Sequence, residues 1–417
     1  MPVVIVGAGI GGLAAALSLH AAGITDVVIA EAAAELRPLG VGINLLPHAV
    51  RELTELGLAD RLAGIGVATG ELTYYNRYGS RIWSEPRGLR AGYRWPQFSV
   101  HRGRLQMLLL AEVRRRLGEA VVRTGHALTG FHQEGGTVSA RFATARGETE
   151  LTGDVLIGAD GIHSTVRALL YPDEGPPPWN GLVLWRGVSQ ARPFLSGRSM
   201  IMAGDGTTKF VAYPIQDTAP NLINWIAERP MEKAVARGDW NRPVEPSEIL
   251  RHFGDWRFDW LDVPGLISAA DAVYEYPMVD RDPLPRWSYG RVTLLGDAAH
   301  AMYPIGSNGA SQAVIDARVL ACELAAGRAP EQALTAYEER RRPVTTTLCQ
   351  ANRGMGPEVV MKIAHERAPS GFTDIEDVIP MTERESIAAD YKRTAGFDPR
   401  LLNERPSYGV EPAWVSN

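Results

Sequence analysis

Apolar positions change their period twice within the first thirty residues. Residues 3–6 (VVIV) form an unbroken β-branched run that stops at a glycine cluster, as a strand buried on both faces does. From 11 to 22, Leu13, Leu17 and Leu19 stand among alanines with helical spacing. Residues 27–30 (VVIA) return to the strand pattern and end at Glu31. Strand, helix and strand over so short a span predict a βαβ unit.

Further on, Leu105, Leu108, Leu109 and Val113 predict a helix over 102–117, with Gly118 as its C-terminal cap. Residues 71–84 alternate like a hairpin with a turn near Asn76–Gly79, and short strands follow between 120 and 157. Pro172–Pro178 (PDEGPPP) reads as a linker. Aromatic-rich runs at 181–186, 199–203, 209–215 and 222–227 then predict a separate antiparallel sheet. A strand at 291–295 ends at Gly296, helical spacing resumes over 309–325, and a long helical stretch covers 330–366. The tail 367–417, with weak helix near 381–395, is expected to drape over the surface.

Composition narrows the class. At 45% hydrophobic and 22% charged, 417 residues can bury a large core, and the net charge of −5 shows no basic stripe of the kind nucleic acid requires. The short runs Arg114–Arg116 and Arg340–Arg342 fit solvated helix faces. Two cysteines, Cys322 and Cys349, argue against a disulfide framework and for a reducing cytoplasm. The apolar N-terminus lacks a basic leader and is broken by glycines, so it is not expected to be a signal peptide. No run is long enough to span a membrane, and no metal-ligand spacing occurs.

The glycine cluster carries chemistry. Gly7, Gly9 and Gly12 set the GxGxxG spacing, with Gly11 as a fourth glycine, between a strand and a helix; Glu31 follows about 20 residues on. Such glycines allow a tight turn and close approach of a pyrophosphate to a helix N-terminus, and the acid accepts from ribose hydroxyls. Alone, this fingerprint does not separate FAD from NAD.

Two further motifs do so by resemblance. Residues 291–300 (RVTLLGDAAH), continued by MYPIGSNGA, Gln312 and Asp316, resemble the GD motif of the flavoprotein aromatic hydroxylases, the family of para-hydroxybenzoate and salicylate hydroxylases. Residues 154–167 (DVLIGADGIHSTVR) are similar to that family's DG motif. The resemblance runs over about 1–350, and the segments RPLGVGIN, WSEPRG, HRGRLQM and WRGV look like the branch that hydroxylates phenazine carboxylates. It implies an α/β fold: a Rossmann-like FAD-binding domain of the glutathione reductase type (1–70, 98–172 and 285–350), interleaved with a mostly antiparallel substrate-domain sheet (71–97 and 173–284), and C-terminal helices (351–417).

By the same resemblance, Asp297 binds the ribityl chain, and Gly306, Asn308 and Gly309 lie against the flavin. Asp160 and Gly161 serve FAD and NAD(P)H jointly, and Arg102 and Gln106 contact the cofactor. Arg37 opens a segment that carries Gly42 past the flavin ring, and Pro304 shapes the loop where oxygen is transferred. NADH or NADPH would reduce FAD, O2 would form a C4a-hydroperoxide, and an electron-rich ring would attack it, with no metal and no protein nucleophile. His300 reads as structural, while His48 and His101 flank cofactor-facing segments. Trp185 and Tyr213 are the first choices for substrate walls, ahead of Trp225, Met200 and Met202, although each equally fits a core. Arg186 adjoins Trp185, and strand alternation lets only one of the two face the substrate. The small aromatic substrate and O2 are the expected partners, and a homodimer is compatible. An epoxidase, a Baeyer–Villiger oxygenase, an oxidative dehalogenase and a non-enzymatic flavin-binding redox module are the competing readings.

Overall fold

The β-branched run Val3–Val6 becomes the centre of a five-stranded parallel sheet, in the order Val292–Leu294, Val155–Gly158, Val3–Val6, Val27–Ala30, Val122–Arg123. The computed structural model describes residues 1–38, 40–232 and 242–409. Parallel strands need cover on both faces, which explains their continuous apolar sequences. Helix Ile10–Ala21 supplies Leu13 and Leu17 and packs against helices Arg102–Leu117 and Gly309–Leu324. A three-stranded antiparallel sheet (Ala127–Glu134, Thr137–Thr144, Gly147–Gly153) adds Val138, Ala140 and Phe142 to the same core.

The aromatic strands build a second sheet of eight, in the order Arg242–Pro243, Ala270–Val279, Trp179–Gln190, Leu222–Pro230, Lys209–Gln216, Ser199–Gly204, Glu71–Asn76, Arg81–Pro86. It is antiparallel except where Ser199–Gly204 runs beside Glu71–Asn76. The expected hairpin turn forms at Asn76, whose Oδ1 accepts from the N–H groups of Tyr78 and Ser80. Alternation splits the sheet residues. Trp185, Phe210 and Trp225 pack with Ile249 and Phe253 of helix Pro246–Phe253. Met200, Met202, Val211 and Tyr213 share the opposite cluster with Val360 and Met361. A small antiparallel sheet (Gly42–Leu45, Phe98–His101, Gly66–Ala68) lies between the two systems.

Two expectations change. The helical stretch 330–366 is two helices, Pro330–Arg353 and Val359–Arg367, parted by the 3-10 turn Gly356–Glu358. Gly354, Met355 at φ 68° and Gly356-Pro357 break the register there. The tail does not drape over the surface. Helix Met381–Thr394 forms where expected, but Tyr391, Phe397 and Leu402 are buried with Leu46 and Tyr93. No helix among the described residues is long and apolar enough to cross a membrane.

Candidate active site

The four glycines of the first loop have different reasons to be glycine. A Cβ on Gly12 would lie 2.0 Å from Gly7 O, and one on Gly7 (φ 104°) 2.5 Å from Ala159 O. One on Gly11 would meet Leu295 at 2.8 Å, whereas one on Gly9 would meet nothing within 4 Å. Gly7 and Gly12 are thus required by the protein's own packing. Gly9 leaves room for a ligand, and Gly9 and Gly11 line a cavity of about 310 Å³. Glu31 accepts from the N–H groups of Ala8 and Ala33, both at 2.8 Å. Gln106 does not line the cavity; buried, it donates to Ala8 O at 2.8 Å and so holds the loop.

The GD segment forms the cavity's second side. Strand Val292–Leu294 leads through Gly296 (φ 62°) to Asp297, which is exposed and faces the cavity at the start of helix Asp297–His300. A Cβ on Gly309 would sit 3.8 Å from Asp297 Oδ1, so the carboxylate stands beside the first turn of Gly309–Leu324. The N-cap of that helix, Asn308, makes no side-chain cap bond, which leaves N–H groups at Gly309 and Ala310 directed at the cavity. Behind them, fully buried Asp316 accepts from Gly296 N–H (3.1 Å), His300 Nε2 (2.6 Å) and Arg341 Nε (2.6 Å). Burial alone would raise its carboxyl; His300 and Arg341 outweigh burial and hold it down at about 2. Arg341 also donates to Gln312, which lies 3.3 Å from His48. Burial, with Arg341 nearby, lowers His48 to about 3, so it is a neutral ring stacked on Phe397. His300 and His48 are therefore structural, and His101 caps helix Arg102–Leu117 through Arg104 N–H.

The loop over this region turns at Pro304, which lines the cavity, and continues through two left-handed residues, Gly306 (φ 64°) and Ser307 (φ 58°). Gly306 itself faces away from the cavity. A Cβ there would run into the Tyr391 hydroxyl, and its N–H meets Glu358 at 3.3 Å. Asn308 does line the cavity, and its Nδ2 donates to Gly306 O and to Tyr391 OH. Tyr391 OH also lies 2.8 Å from Asn352 Oδ1. Sequence reasoning missed Tyr391; no motif marks it.

Several expected contacts are corrected. Asp160 does not reach the cavity, because its carboxylate accepts from Ser164 Oγ, Thr165 N and Val166 N at the start of helix Thr165–Leu170. Its neighbours Ala159 and Gly161 line the cavity instead. Arg37 stands at the surface, paired with Glu35 at 2.7 Å; Leu39, in the same segment, lies outside the described residues. Trp185 is no pocket wall: its Nε1 donates to Glu275 at 2.7 Å on the far side of the sheet, where His252 stacks on it. Trp225 shares that side and donates to Ser189 Oγ.

Arg186 takes the place expected for Trp185, as alternation requires. Its Nη2 donates to Gly42 O at 3.0 Å, its Nε is buried without a partner, and burial lowers its guanidinium. Gly42 N–H donates to Asn224 Oδ1 at 2.6 Å, and a Cβ on Gly42 would crowd Asn224 and Tyr213. Tyr213 lines the cavity, its phenol pushed up to about 12 by burial. Met200, Met202, Val211 and Arg102 also line the cavity.

The model of the family described as FAD binding domain matches residues 1–177 and 277–352. Phenazine 1,6-dicarboxylic acid hydroxylase PhzS of Lysobacter antibioticus is 49% identical over 361 residues, 84% of this chain and 89% of the relative. 3-Hydroxybenzoate 6-hydroxylase 1 of Aquipseudomonas alcaligenes is 32% identical over 81% of this chain and 84% of its own. Among solved structures, Klebsiella pneumoniae HpxO complexed with FAD and uric acid matches at a TM-score of 0.77 and 25% identity, covering 96% of this chain and 98% of that one.

Proposed function

The chain belongs to the FAD binding domain family and is an FAD-dependent monooxygenase of aromatic compounds; from that premise we propose that it is a single-component hydroxylase of an electron-rich, polycyclic aromatic carboxylate of the phenazine type, with NADH or NADPH as reductant. The observation that carries this reading is one cavity lined both by Gly9, Gly11, Asp297 and Gly309 and by the sheet residues Met202, Val211 and Tyr213. A dinucleotide and a flat substrate would meet there.

The residues present fit FAD. The open face of Gly9 admits a pyrophosphate, Glu31 lies at the end of the neighbouring strand for a ribose, and Asp297 offers acceptors to a polyol chain. The N–H groups at Gly309 and Ala310, at a helix N-terminus, favour negative charge on a ring edge placed before them. Bound FAD supplies the electron transfer from NAD(P)H and the activation of O2.

The protein's part is to hold and orient the ring. Met200, Met202 and Val211 offer an apolar, adaptable surface suited to a planar system. Arg186 offers a guanidinium with an unused N–H to an anionic substituent. The name of the Lysobacter relative supports a phenazine carboxylate. If the carboxyl-bearing carbon receives the oxygen, carbon dioxide leaves and a hydroxyl replaces it.

The test is a screen for NADH and NADPH consumption stimulated by phenazine-1-carboxylate, benzoate and an aliphatic ketone, under labelled dioxygen. Stimulation by the phenazine and one labelled oxygen in the product are expected, with benzoate inactive. Label arriving from water, or preference for the ketone, removes the reading.

A further inference from the structure

The sheet face along the cavity is charged unevenly. Register sets three rows across strands Trp179–Gln190, Leu222–Pro230 and Lys209–Gln216. Leu184, Glu228 and Lys209 share the first row, Arg186, Ile226 and Val211 the second, and Asn224 and Tyr213 stand in the third. At about 3.3 Å per residue, the first and third rows are ~13 Å apart.

In the first row Lys209 Nζ lies 3.0 Å from Glu228 and 2.5 Å from Glu358, all three buried and all three lining the cavity. Glu358 enters from the turn Gly356–Glu358, and its other oxygen accepts from Gly306 N–H in the loop after Pro304. One ammonium serves two carboxyl groups, and although burial and the neighbouring Glu358 raise the Glu228 carboxyl, this end holds more oxygen acceptors than the ammonium satisfies. Toward the third row the excess reverses. Arg186 leans to Gly42, which is held by Asn224, and the groups that act most strongly on it are Tyr213, Tyr276 and Arg102 rather than a carboxylate.

We propose that Lys209, Glu228 and Glu358 read the substrate edge remote from Gly42, accepting a hydrogen-bond-donating or cationic edge and rejecting an anionic one, while Arg186 takes a single carboxylate. The inference rests on the reading of the cavity as the site of a planar aromatic carboxylate. In a desolvated cavity a donor meets a carboxylate oxygen in a charge-assisted bond. An anionic oxygen there would face two carboxylates across one ammonium, and such like-charge contact suppresses wrong ligands.

Two three-ring probes of one outline separate charge from shape: cationic 9-aminoacridine and neutral acridine, titrated into the FAD-loaded protein and followed by flavin absorbance. The cation is expected to bind about tenfold more tightly, the scale of one hydrogen bond to a charged group. Glu228→Gln should abolish that preference by weakening the cation far more than acridine. Glu358→Gln, tested in parallel, should narrow it as well and covers the case in which the first variant misfolds. Equal affinities in the unmodified protein, no binding of either probe, or equal loss of both probes in the variants would overturn the proposal. Phenazine carboxylates that fail to stimulate NAD(P)H use would instead remove the substrate assignment and leave the probe result standing.

Discussion

Glu31 and Gln106 grip the same residue from opposite sides: Glu31 accepts the N–H of Ala8, and Gln106 donates to its carbonyl, each at 2.8 Å. Ala8 lies between Gly7, locked by Ala159, and Gly9, whose face is open. Contacts within the protein therefore set the shape of the loop.

Gln106→Ala should weaken FAD although it leaves every glycine in place. A buried carbonyl without its donor costs about 1–3 kcal/mol, and part of that should appear in cofactor affinity. Glu31→Ala removes charge-assisted bonds and should cost roughly tenfold to a hundredfold. Reconstitution of the apoprotein, followed by quenching of FAD fluorescence, measures both. Unaltered affinity in Gln106→Ala would show that the loop keeps its shape unaided.

Asp316 ties the turn before Asp297 to helix Pro330–Arg353, and its carboxyl is held near 2, below its unfolded value. A depressed folded value gives stability that is fully present above the unfolded value near 4 and is lost as pH falls toward 2. Acid unfolding followed by circular dichroism should therefore include a steep limb between about pH 4 and 2. Asp316→Asn should flatten that limb and destabilise the protein by on the order of 3–5 kcal/mol, because Arg341 loses its buried partner.

Pro304→Ser should retain FAD and raise hydrogen peroxide release per NAD(P)H consumed. Pro304 lines the cavity just before the left-handed pair Gly306 and Ser307, and its ring restricts the chain where the loop turns. Coupling equal to that of the unmodified enzyme would take Pro304 out of the site.

Trp185 and Arg186 offer a test of strand alternation. Trp185→Phe loses the bond to Glu275 and should lower Tm while leaving KM alone. Arg186→Met should raise KM for carboxylated substrates more than for uncharged analogues. Thermal melts and steady-state kinetics on both variants check this; a KM change confined to Trp185→Phe would reverse the assignment of faces.

Much of the fold was legible because it depends on short-range rules. The unbroken apolar run at Val3–Val6, the helical spacing of Arg102–Leu117 and the runs at Ser199–Gly204 and Lys209–Gln216 came close to their observed limits, whereas the run at 181–186 marked only the middle of Trp179–Gln190. The long helix was misread because its apolar spacing runs on past Gly354–Gly356, where backbone conformation, not side-chain polarity, breaks it. Motif residues behaved unevenly. Gly9, Gly11, Asp297 and Gly309 line the cavity, whereas Asp160 is drawn into capping a helix that begins five residues after it.

The sequence by itself determined the elements, the glycine loop with its acid, and the family through the order of its motifs, since each is written within a few neighbouring residues. Tertiary structure alone decided which side of each strand became the cavity. Alternation guarantees that Trp185 and Arg186 part ways, but it was helix Pro246–Phe253, packing on the tryptophan side, that left the arginine for the site. It also decided that Tyr391 and Glu358, from a segment with no motif, reach the loop after Pro304. Such contacts join residues far apart in the chain, and their partners are chosen by which surfaces bury each other.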